Sequence, residues 1–309
     1  MMSIRIAIIG YGKIAQDQHM PAILANPDFE IVATASPHPH PEAPGQAFGT
    51  HGALIAGMAG RLDAVAICTP PAARYAIARD ALDAGLHVLL EKPPAATLGE
   101  IQHLEALAGQ SRRTLFTAWH AQHNPAVDAA RALLAGKVVT AFHIHWFEDV
   151  RKWHPGQEWI WEPGGFGVFD PGINALSIAT RILPVPLFVR AATLRFPSNR
   201  QTPIAASLTF ASERGAFGAE LDWRYTEGER WTIRAETADG GVIELHDGGA
   251  TLLVNGERRA FGGAGEYRSI YERFAALIRT GQSDVDSDPL RIVADAYLAG
   301  RRELVEPFA

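Results

Sequence analysis

The feature that most restricts the fold is a β-branched run followed at once by a glycine motif near the start of the chain. Ile4–Ile9 has the composition of a buried parallel strand, and it leads into Gly10-Tyr11-Gly12-Lys13-Ile14-Ala15 and a helical stretch ending near residues 26–27. In G-x-G-x-x-A the first glycine permits a tight turn, the second lets a ligand approach the backbone, and the small third residue lets helix and strand pack closely. The motif predicts a βα unit that binds a dinucleotide. A glycine turn without a ligand is the alternative.

The strand-turn-helix unit then repeats. Strands are expected at residues 29–35, 64–68, 87–90 and 114–119. Helices are expected from Tyr75 to Gly85 and after the capping box Thr97-Leu98-Gly99-Glu100, and the Pro-, His- and Gly-rich stretch 37–52 is expected to be a surface loop. This alternation requires a doubly wound parallel sheet, the Rossmann arrangement.

The second half of the chain has a different pattern. Alternating β-prone stretches at 140–147, 205–210, 216–225, 231–236 and 242–245 predict a large, mostly antiparallel sheet with an open face. Helices at 266–280 and 290–303 are expected to contribute core residues: Tyr267, Ile270, Tyr271, Phe274, Ile292, Val293, Ala296 and Tyr297. The predicted fold is therefore α/β, with a dinucleotide-binding domain at 1–122 and an α+β domain at 123–309 whose C-terminal helix is free to pack back on the first domain.

Composition excludes several classes of protein. Cys68 is the only cysteine among 309 residues, which rules out an internal disulfide framework or a cysteine-based metal site. A net charge of -6, with both signs interspersed, argues against nucleic acid and anionic lipid as partners. No signal peptide and no apolar stretch of roughly 18 residues is evident, so we expect a cytoplasmic protein. An uncovered sheet face would expose apolar surface, so we expect a homodimer through that face.

The turn Glu91-Lys92-Pro93-Pro94 is the first candidate for chemistry. It closes a predicted strand at the sheet edge where open α/β sheets bind ligands. Proline restricts the preceding residue and donates no N–H, so the chain cannot continue into a helix here and the turn is rigid. Lys92 is thus a candidate catalytic residue, and a solvated loop lysine is the alternative.

A second candidate segment spans residues 148–174. It places Trp153, Trp159 and Trp161 beside carboxylates and amides, which suits sugar binding as well as core packing. Asp170-Pro171 also fits a helix start, with Asp170 as N-cap and Pro171 at the first helical position. Asn174 would lie on the same helix face one turn later. His143 and His145 share one strand face, but no third ligand accompanies them and we predict no metal site.

These residues carry a resemblance to a known family. Gly10–Ala15, Thr69-Pro70-Pro71 and above all Glu91-Lys92-Pro93 resemble the glucose-fructose oxidoreductase/inositol dehydrogenase/MocA family of nicotinamide-dependent enzymes. That family carries an aspartate followed four residues later by a histidine, whereas this chain has Asp170 and Asn174. The change resembles the branch that oxidises L-arabinose or D-galactose at C1, and the similarity extends from Trp153 to Asn174 and over nearly the whole chain.

The resemblance implies roles for individual residues. Lys92 would draw the proton from the C1 hydroxyl of a pyranose, Asp170 would accept or relay it, and Asn174 would fix the hydroxyl, giving an aldonolactone and NAD(P)H. Whether Lys92 or Asp170 is the formal base stays open. Further candidate sugar contacts are His120, Glu148, Asp149, Trp153 and Trp231. Candidate cofactor contacts are Gly10, Gly12, Lys13, Ile14, Ser36, Cys68, Thr69, Pro70, Tyr75, Glu91, Lys92 and Trp161.

The sequence gives less information about which cofactor and which sugar are preferred. Ser36 stands where a strictly NAD-binding site carries Asp or Glu, and Pro37 stands where the arabinose branch has a basic residue, so we predict dual use of NADP and NAD. The sequence leaves the preferred sugar open. An inositol, polyol or keto-sugar oxidoreductase of the same family is one alternative. A cofactor-bound sugar sensor without turnover is another, which the joint presence of Lys92 and Asp170 disfavours.

Overall fold

The computed structural model describes residues 3–38, 40–213, 215–263 and 265–309. The chain divides into two compact units, Met1–His120 with Ala264–Ser287, and Ala121–Gly263 with Asp288–Ala309. The segment with the predicted helix 266–280 thus belongs to the first unit, and the segment that follows it belongs to the second. Within the described residues, no helix is both long and apolar enough to cross a bilayer.

The first unit is built on a parallel sheet with strand order β3-β2-β1-β4-β5-β6. Its strands are β1 Ile4–Ile9, β2 Phe29–Ala35, β3 Gln46–Phe48, β4 Ala64–Ile67, β5 His87–Glu91 and β6 Leu115–Ala118. The central strands are apolar on both faces because helices cover both, so they appear as continuous hydrophobic runs. The predicted doubly wound parallel sheet is confirmed.

The helices of the first unit follow the predicted alternation. They are a π-helical segment Ala15–His19 that continues into α1 Met20–Leu24, then α2 His51–Gly57, α3 Pro71–Asp83 and α4 Leu98–Ser111. The capping box at α4 is confirmed: the Glu100 N–H donates to Thr97 Oγ1 at 3.3 Å, and the Thr97 N–H donates to Glu100 Oε2 at 3.1 Å.

Two local predictions in this unit are wrong. α3 begins at Pro71 and not at Tyr75, because proline is well suited to the first helical turn, where its missing N–H is not needed. The expected loop 37–52 contains strand β3 and the N-cap Thr50 of α2. Its prolines precede these elements and do not interrupt them.

A helix from late in the sequence completes the first core. It comes eighth among the α-helices, and we label it α8, Glu266–Thr280. Its buried side chains Tyr271 and Phe274 contact Phe29 of β2 at ring-centroid distances of 5.5 and 6.0 Å, and Phe274 contacts Phe116 of β6 at 6.1 Å. The predicted core residues of this helix are confirmed as buried.

The second unit is built on a mixed sheet with strand order β14-β13-β12-β11-β7-β10-β9-β8-β15. Its strands are β7 Val139–Phe147, β8 Val189–Pro197, β9 Ala205–Phe210, β10 Ala216–Asp222, β11 Arg230–Thr237, β12 Val242–His246, β13 Thr251–Val254, β14 Glu257–Arg259 and β15 Gly300–Val305. Among the strand pairs described for this second sheet, only β7–β10 and β8–β15 are parallel. The prediction of a mostly antiparallel sheet is confirmed.

Helices of the second unit lie before, between and after these strands. They are α5 Pro125–Leu134, α6 Val150–Trp153, α7 Phe169–Ile182 and α9 Asp288–Ala299, with short 3₁₀ turns at Glu158–Trp161 and Asp247–Gly249. A further 3₁₀ turn, His120–His123, spans the boundary between the two units in the sequence. α9 ends at Ala299, short of the predicted residue 303, because the chain then forms the edge strand β15. Tyr297, predicted as core, is 39% exposed.

The two faces of the second sheet differ. Phe142, Ile144 and Trp146 of β7 are buried on one face. The alternate residues His143 and His145 line a groove on the other face, with a cavity volume of about 420 Å³. The other groove residues are Glu229, Arg230, Trp231, Thr232, Ile233, Arg234, Glu244, His246 and Asp247. The expectation that this face is apolar is therefore wrong, because its outward side chains are mostly polar and charged.

A titratable group in the first sheet gives a pH-dependent stability. The Thr114 N–H donates to Nδ1 of His87 at 3.0 Å, which requires the neutral imidazole. Burial, with a contribution from the charge of Arg113, lowers the pKa of His87 to about 4. The unfolded chain has a pKa of about 6.5 and takes up the proton first, so stability is present above about pH 6.5 and is lost as the pH falls towards 4.

We predict that His87→Asn removes this pH dependence. Asparagine Oδ1 replaces Nδ1 as acceptor but does not titrate. Between pH 7.5 and 4.5 the wild type should lose about 1 to 2 kcal/mol more stability than H87N, a figure reduced for partial exposure from roughly 1.4 kcal/mol per pKa unit. Thermal unfolding of both proteins at the two pH values measures the difference, and equal losses would contradict the assignment.

Candidate active site

The carboxyl edge of the parallel sheet collects most of the predicted cofactor residues. The strand order reverses between β1 and β4, and open α/β sheets bind ligands at such a point. Gly10 follows β1 and Thr69 follows β4. Gly10 has a φ of +87°, and a Cβ atom there would lie 2.8 Å from the Thr69 backbone nitrogen. Only glycine fits this position without displacing the backbone.

The next turn leaves space for a phosphate group. A Cβ atom on Gly12 would meet no heavy atom within 4 Å, so the backbone is open to close approach. Thr69 Oγ1 is buried and has no hydrogen-bond partner in the part of the chain that the structure describes. Buried hydroxyl groups are normally paired, and an anionic oxygen would satisfy this one. Together with the helix start that follows, these residues fit the pyrophosphate of a dinucleotide.

Other predicted cofactor residues of the first unit have partners of their own. Lys13 is exposed and pairs with Asp17. Ser36 Oγ accepts the His38 N–H at 3.3 Å, and the Tyr75 hydroxyl lies 3.1 Å from His103 Nδ1. Cys68 is half-buried, while Ile14 and Pro70 are exposed. Their contacts with a cofactor stay predictions.

Hydrogen bonds hold the backbone of the turn that carries Lys92. The Lys92 N–H donates to Glu91 Oε2 at 2.8 Å. Arg74 of α3, which is 5% exposed, donates from Nη1 to the carbonyls of Glu91, at 2.6 Å, and Pro93, and from Nε to the Thr69 carbonyl at 2.7 Å. The Lys92–Pro93 peptide bond is cis. The predicted turn is confirmed, and Arg74 connects it to the end of β4.

Glu91 is buried beside residues that are remote in the sequence. Its Oε1 lies 2.9 Å from His19 Nε2 and accepts the Tyr267 hydroxyl at 2.7 Å. His19 Nδ1 lies 2.7 Å from the Tyr271 hydroxyl. His19 is fully buried, and Glu91 is 3% exposed. Sequence reasoning missed His19, although a histidine in the helix after the glycine motif was a visible signal, and it treated Tyr267 and Tyr271 only as core.

His120, a predicted sugar contact, touches the same tyrosine. It follows β6, and its ring stacks on Tyr267 with a centroid distance of 5.6 Å and an interplanar angle of 17°. Its Nδ1 lies 2.9 Å from Glu266 Oε2. Lys92 and His120 are therefore both supported by the start of α8.

In the second unit, Asp170 lies in the first turn of α7 but does not cap it. The N-cap is Val168, and no side chain caps the helix. The prediction that Asp170 is the N-cap is wrong, because the N–H groups of Phe169 and Asp170 already donate to the carbonyls of Phe166 and Gly167. Pro171 is likewise not the first helical residue. The helix start therefore does not require the Asp170 carboxylate.

The Asp170 carboxylate has a histidine partner. It is 3% exposed, and its Oδ2 lies 3.4 Å from His154 Nε2. Asn174 follows one turn later, and its Oδ1 is buried with no hydrogen-bond partner among the described residues. Sequence reasoning did not single out His154. The absence of a histidine at position 174 was the signal that one should be sought elsewhere.

Glu148 organises the tryptophans of this unit. It is 3% exposed, with Oε1 accepting the Trp223 indole N–H at 3.1 Å and Oε2 accepting the Trp231 indole N–H at 2.9 Å. Trp231 stacks on Trp146 at 5.7 Å and contacts Trp153 at 5.6 Å. Trp153 is 44% exposed. The structure thus brings Glu148, Trp153 and Trp231 together, as neighbours of one aromatic cluster.

Two further predicted residues have clear structural roles. Asp149 is the N-cap of α6, and its Oδ1 accepts the Arg151 N–H at 2.9 Å. Trp161, predicted as a cofactor contact, is 7% exposed and packs against Trp223 and Phe308 at 5.4 and 5.8 Å. Their contacts with ligands stay predictions. In the described residues, no three His, Cys, Asp or Glu side chains form a cluster that could hold a metal ion.

Comparison with known proteins identifies relatives along the whole chain. Residues 4–119 match the model of an oxidoreductase family with an NAD-binding Rossmann fold, that of glucose-fructose oxidoreductase, inositol dehydrogenase and MocA. The chain is 47% identical to galactose 1-dehydrogenase from Pseudomonas fluorescens, with 100% of this chain and 99% of that protein covered.

Solved structures agree with this match. The crystal structure of D-galactose-1-dehydrogenase from Rhizobium etli is 49% identical with a TM-score of 0.93, covering 100% of this chain and 99% of that one. A 3-ketoreductase from Actinomadura kijaniata, solved in complex with TDP-benzene and NADP, has a TM-score of 0.85 at 19% identity, covering 98% of this chain and 100% of that one, and shares the fold. The predicted family and class of enzyme are confirmed. The chain belongs to the glucose-fructose oxidoreductase/inositol dehydrogenase/MocA family and is an NAD(P)-dependent oxidoreductase.

Proposed function

We propose that the protein is an aldose 1-dehydrogenase that oxidises the anomeric carbon of a D-galactose- or L-arabinose-type pyranose to the aldonolactone. The observation that carries this proposal is the identity of 47% and 49% to two galactose 1-dehydrogenases over the full chain. In the reaction the C1–H and O–H bonds break and a C1 carbonyl forms. When bound, the oxidised nicotinamide accepts the hydride, and the protein must orient the sugar and take the hydroxyl proton.

Residues at the edge of the first sheet support dinucleotide binding. Gly10 and Gly12 provide the turn and the open backbone, and Thr69 provides a hydroxyl without a partner among the described residues. No carboxylate follows β2, where Ser36 stands, so nothing there repels a 2′-phosphate. We infer use of both NADP and NAD from this permissive position.

Lys92 has the chemistry to act on the C1 hydroxyl. As the neutral amine, lysine can take the hydroxyl proton, and as the ammonium it donates hydrogen bonds to the hydroxyl oxygen and stabilises the negative charge that develops as the proton leaves. The backbone around Lys92 is held from both sides, by the Glu91 carboxylate and by Arg74. A lysine on a fixed backbone loses less entropy when it orients a substrate.

Asp170 and Asn174 supply complementary groups. The buried Asp170 carboxylate accepts or relays the proton, and His154 at 3.4 Å is placed to share it. Asn174 Oδ1, buried without a partner in the described chain, suits a sugar hydroxyl as donor. The anomeric hydroxyl is more acidic than an ordinary alcohol, so the reaction tolerates asparagine where the family carries a histidine. Either Lys92 or Asp170 is the formal base.

The aromatic cluster suits a sugar ring. Trp153 is half exposed beside Trp231, whose indole N–H is fixed by Glu148. An apolar ring face next to carboxylates and amides binds the C–H face of a pyranose while polar groups take the hydroxyls. An inositol, polyol or keto-sugar oxidoreductase would use the same residues, but Asn174 in place of histidine favours the more acidic anomeric hydroxyl.

A sugar panel with both cofactors tests this function. We expect growth of NAD(P)H absorbance with D-galactose, L-arabinose, D-fucose or D-xylose, and kcat/KM values for NADP and NAD that differ by less than about a hundredfold, since Ser36 excludes neither. Inositol serves as the comparison substrate. Preference for inositol would favour the alternative activity, and no turnover of any sugar would favour a cofactor-bound sensor.

We predict that Lys92→Met lowers kcat by about 10²- to 10⁴-fold on the best sugar, the usual contribution of a general acid or base. Methionine keeps the length of the side chain and removes its charge and donors. Lys137→Met is the matched control, because Lys137 is an exposed lysine paired with Asp239 in the second unit. Steady-state kinetics of both variants measure the effect. A K92M enzyme with near-normal kcat would refute the role of this lysine.

We further propose that the enzyme is cytoplasmic and that it forms a homodimer through the outward face of the second sheet. The groove there carries both signs of charge, with Arg234 near Glu244 at 2.9 Å. A two-fold axis brings the same patch of two copies together, so a patch with both signs can complement itself. Light scattering should give twice the mass of the chain, and Arg234→Glu should weaken association while Arg268→Glu on α8 does not. A wild-type monomer at micromolar concentration would contradict this assembly.

A further inference from the structure

The first unit buries an ionised cluster that the proposed chemistry does not use. Glu91, His19 and Tyr267 are 3%, 0% and 6% exposed, and they come from β5, the π-helical segment and α8. Burying a charge is costly, and a buried ion pair often contributes little net stability compared with apolar packing. A contribution to folding stability therefore does not explain well why these three residues are buried together.

The cluster is hydrogen-bonded to the backbone N–H of Lys92, the proposed catalytic lysine. Glu91 Oε1 takes two donors, His19 Nε2 at 2.9 Å and the Tyr267 hydroxyl at 2.7 Å. Glu91 Oε2 takes the Lys92 N–H at 2.8 Å. The carboxylate is thus a bridge: one oxygen is fixed by two distant elements, and the other fixes the first residue of the turn.

Electrostatic interactions keep the bridging Glu91 carboxylate ionised, and in this state it accepts the strongest hydrogen bonds. Burial alone would raise the pKa of Glu91, but the hydrogen bond from His19 and the charges of His19, His120 and Arg74 hold it well below its usual range. Burial, with the Glu91 charge adding to it, raises the pKa of Tyr267 well above its usual value, so this hydroxyl stays a donor. Hydrogen bonds to an ionised acceptor are shorter and roughly twice as strong as neutral ones.

Tyr267 also contacts the two histidines on either side of it. Its ring meets His19 edge-on at 4.9 Å and stacks on His120 at 5.6 Å. Tyr271, one turn later on α8, contacts His19 and not the carboxylate: its hydroxyl lies 2.7 Å from His19 Nδ1. The two tyrosines are both buried, at 6% and 0% exposure, and only Tyr267 donates to the carboxylate, so they form a matched pair.

We propose that His19, Glu91 and Tyr267 form a positioning cluster for Lys92, which sets the direction of its side chain by fixing the backbone at its root. This inference rests on the proposed function, since it assigns the cluster a part in the turnover of the sugar. The three residues are positioning residues and do not touch the reacting atoms.

The test compares Tyr267→Phe with Tyr271→Phe. We expect Y267F to lower kcat about tenfold, the loss of one hydrogen bond to a charged group, with KM for sugar and cofactor within about twofold. Y271F should keep kcat within about twofold while costing similar thermal stability. If the substitutions acted only through stability, kcat would fall equally in both variants. A lower kcat in Y267F than in Y271F therefore identifies a positioning role.

A second pair of variants tests the histidine. His19→Gln retains an N–H donor near the Nε2 position and should restore most of kcat, whereas His19→Leu removes it and should behave like Y267F or worse. If H19L does not fold, Y267F and H19Q still decide the question. Equal kcat for wild type and Y267F would overturn the proposal.

Amide hydrogen exchange provides a readout that does not need turnover. Because Pro93 and Pro94 have no N–H, the Lys92 amide is the single backbone amide between Glu91 and Ala95, and NMR follows its exchange individually. Its exchange should be faster in Y267F than in wild type or Y271F, because its acceptor is less well held. If no sugar is oxidised, the proposed function fails, while exchange still shows whether the cluster holds the turn. Unchanged exchange, or faster exchange with unchanged kcat, would overturn positioning.

Discussion

Parallel strands of one sheet all end at the same edge, and the first unit depends on that constraint. β1, β4, β5 and β6 deliver the glycine turn, Thr69, the lysine turn and His120 to one border of the sheet. Gly10 and Thr69, which are 59 positions apart in the sequence, therefore become neighbours without any local signal. The close approach of Gly10 to Thr69 shows how tightly the two central strand ends are packed.

Buried carboxylates play the same part in each unit. Glu91 is satisfied by His19 and Tyr267, and Glu148 is satisfied by Trp223 and Trp231. A buried charge requires such donors, because without them nothing offsets the free energy cost of removing the charge from water. In both units the donors belong to side chains with aromatic rings. Each carboxylate therefore also fixes the orientation of an aromatic surface. One surface supports the lysine turn, and the other presents Trp153 and Trp231.

Regular elements with local signals were predictable from the sequence. β1 and β2 have the predicted bounds, and the capping box at α4 and the buried face of α8 were visible as spacings of a few residues. The errors arose where a residue has two uses. The helix start was predicted at Tyr75 although Pro71 begins α3, and Asp170 was predicted as a cap although the preceding turn already satisfies the helix. Partners such as His19 with Glu91, or His154 with Asp170, lie 72 and 16 positions apart and required coordinates.

The contacts among the tryptophans of the second unit affect the fluorescence of the protein. Trp146, Trp231 and Trp153 form a continuous contact, and Trp161 joins Trp223, whose indole shares Glu148 with Trp231. Indoles at such separations exchange excitation energy, so part of the light absorbed by the group is emitted from its half-exposed member, Trp153. Trp153 directly precedes His154, the partner of Asp170, so a molecule that binds in this region should change the intrinsic tryptophan fluorescence without any added dye.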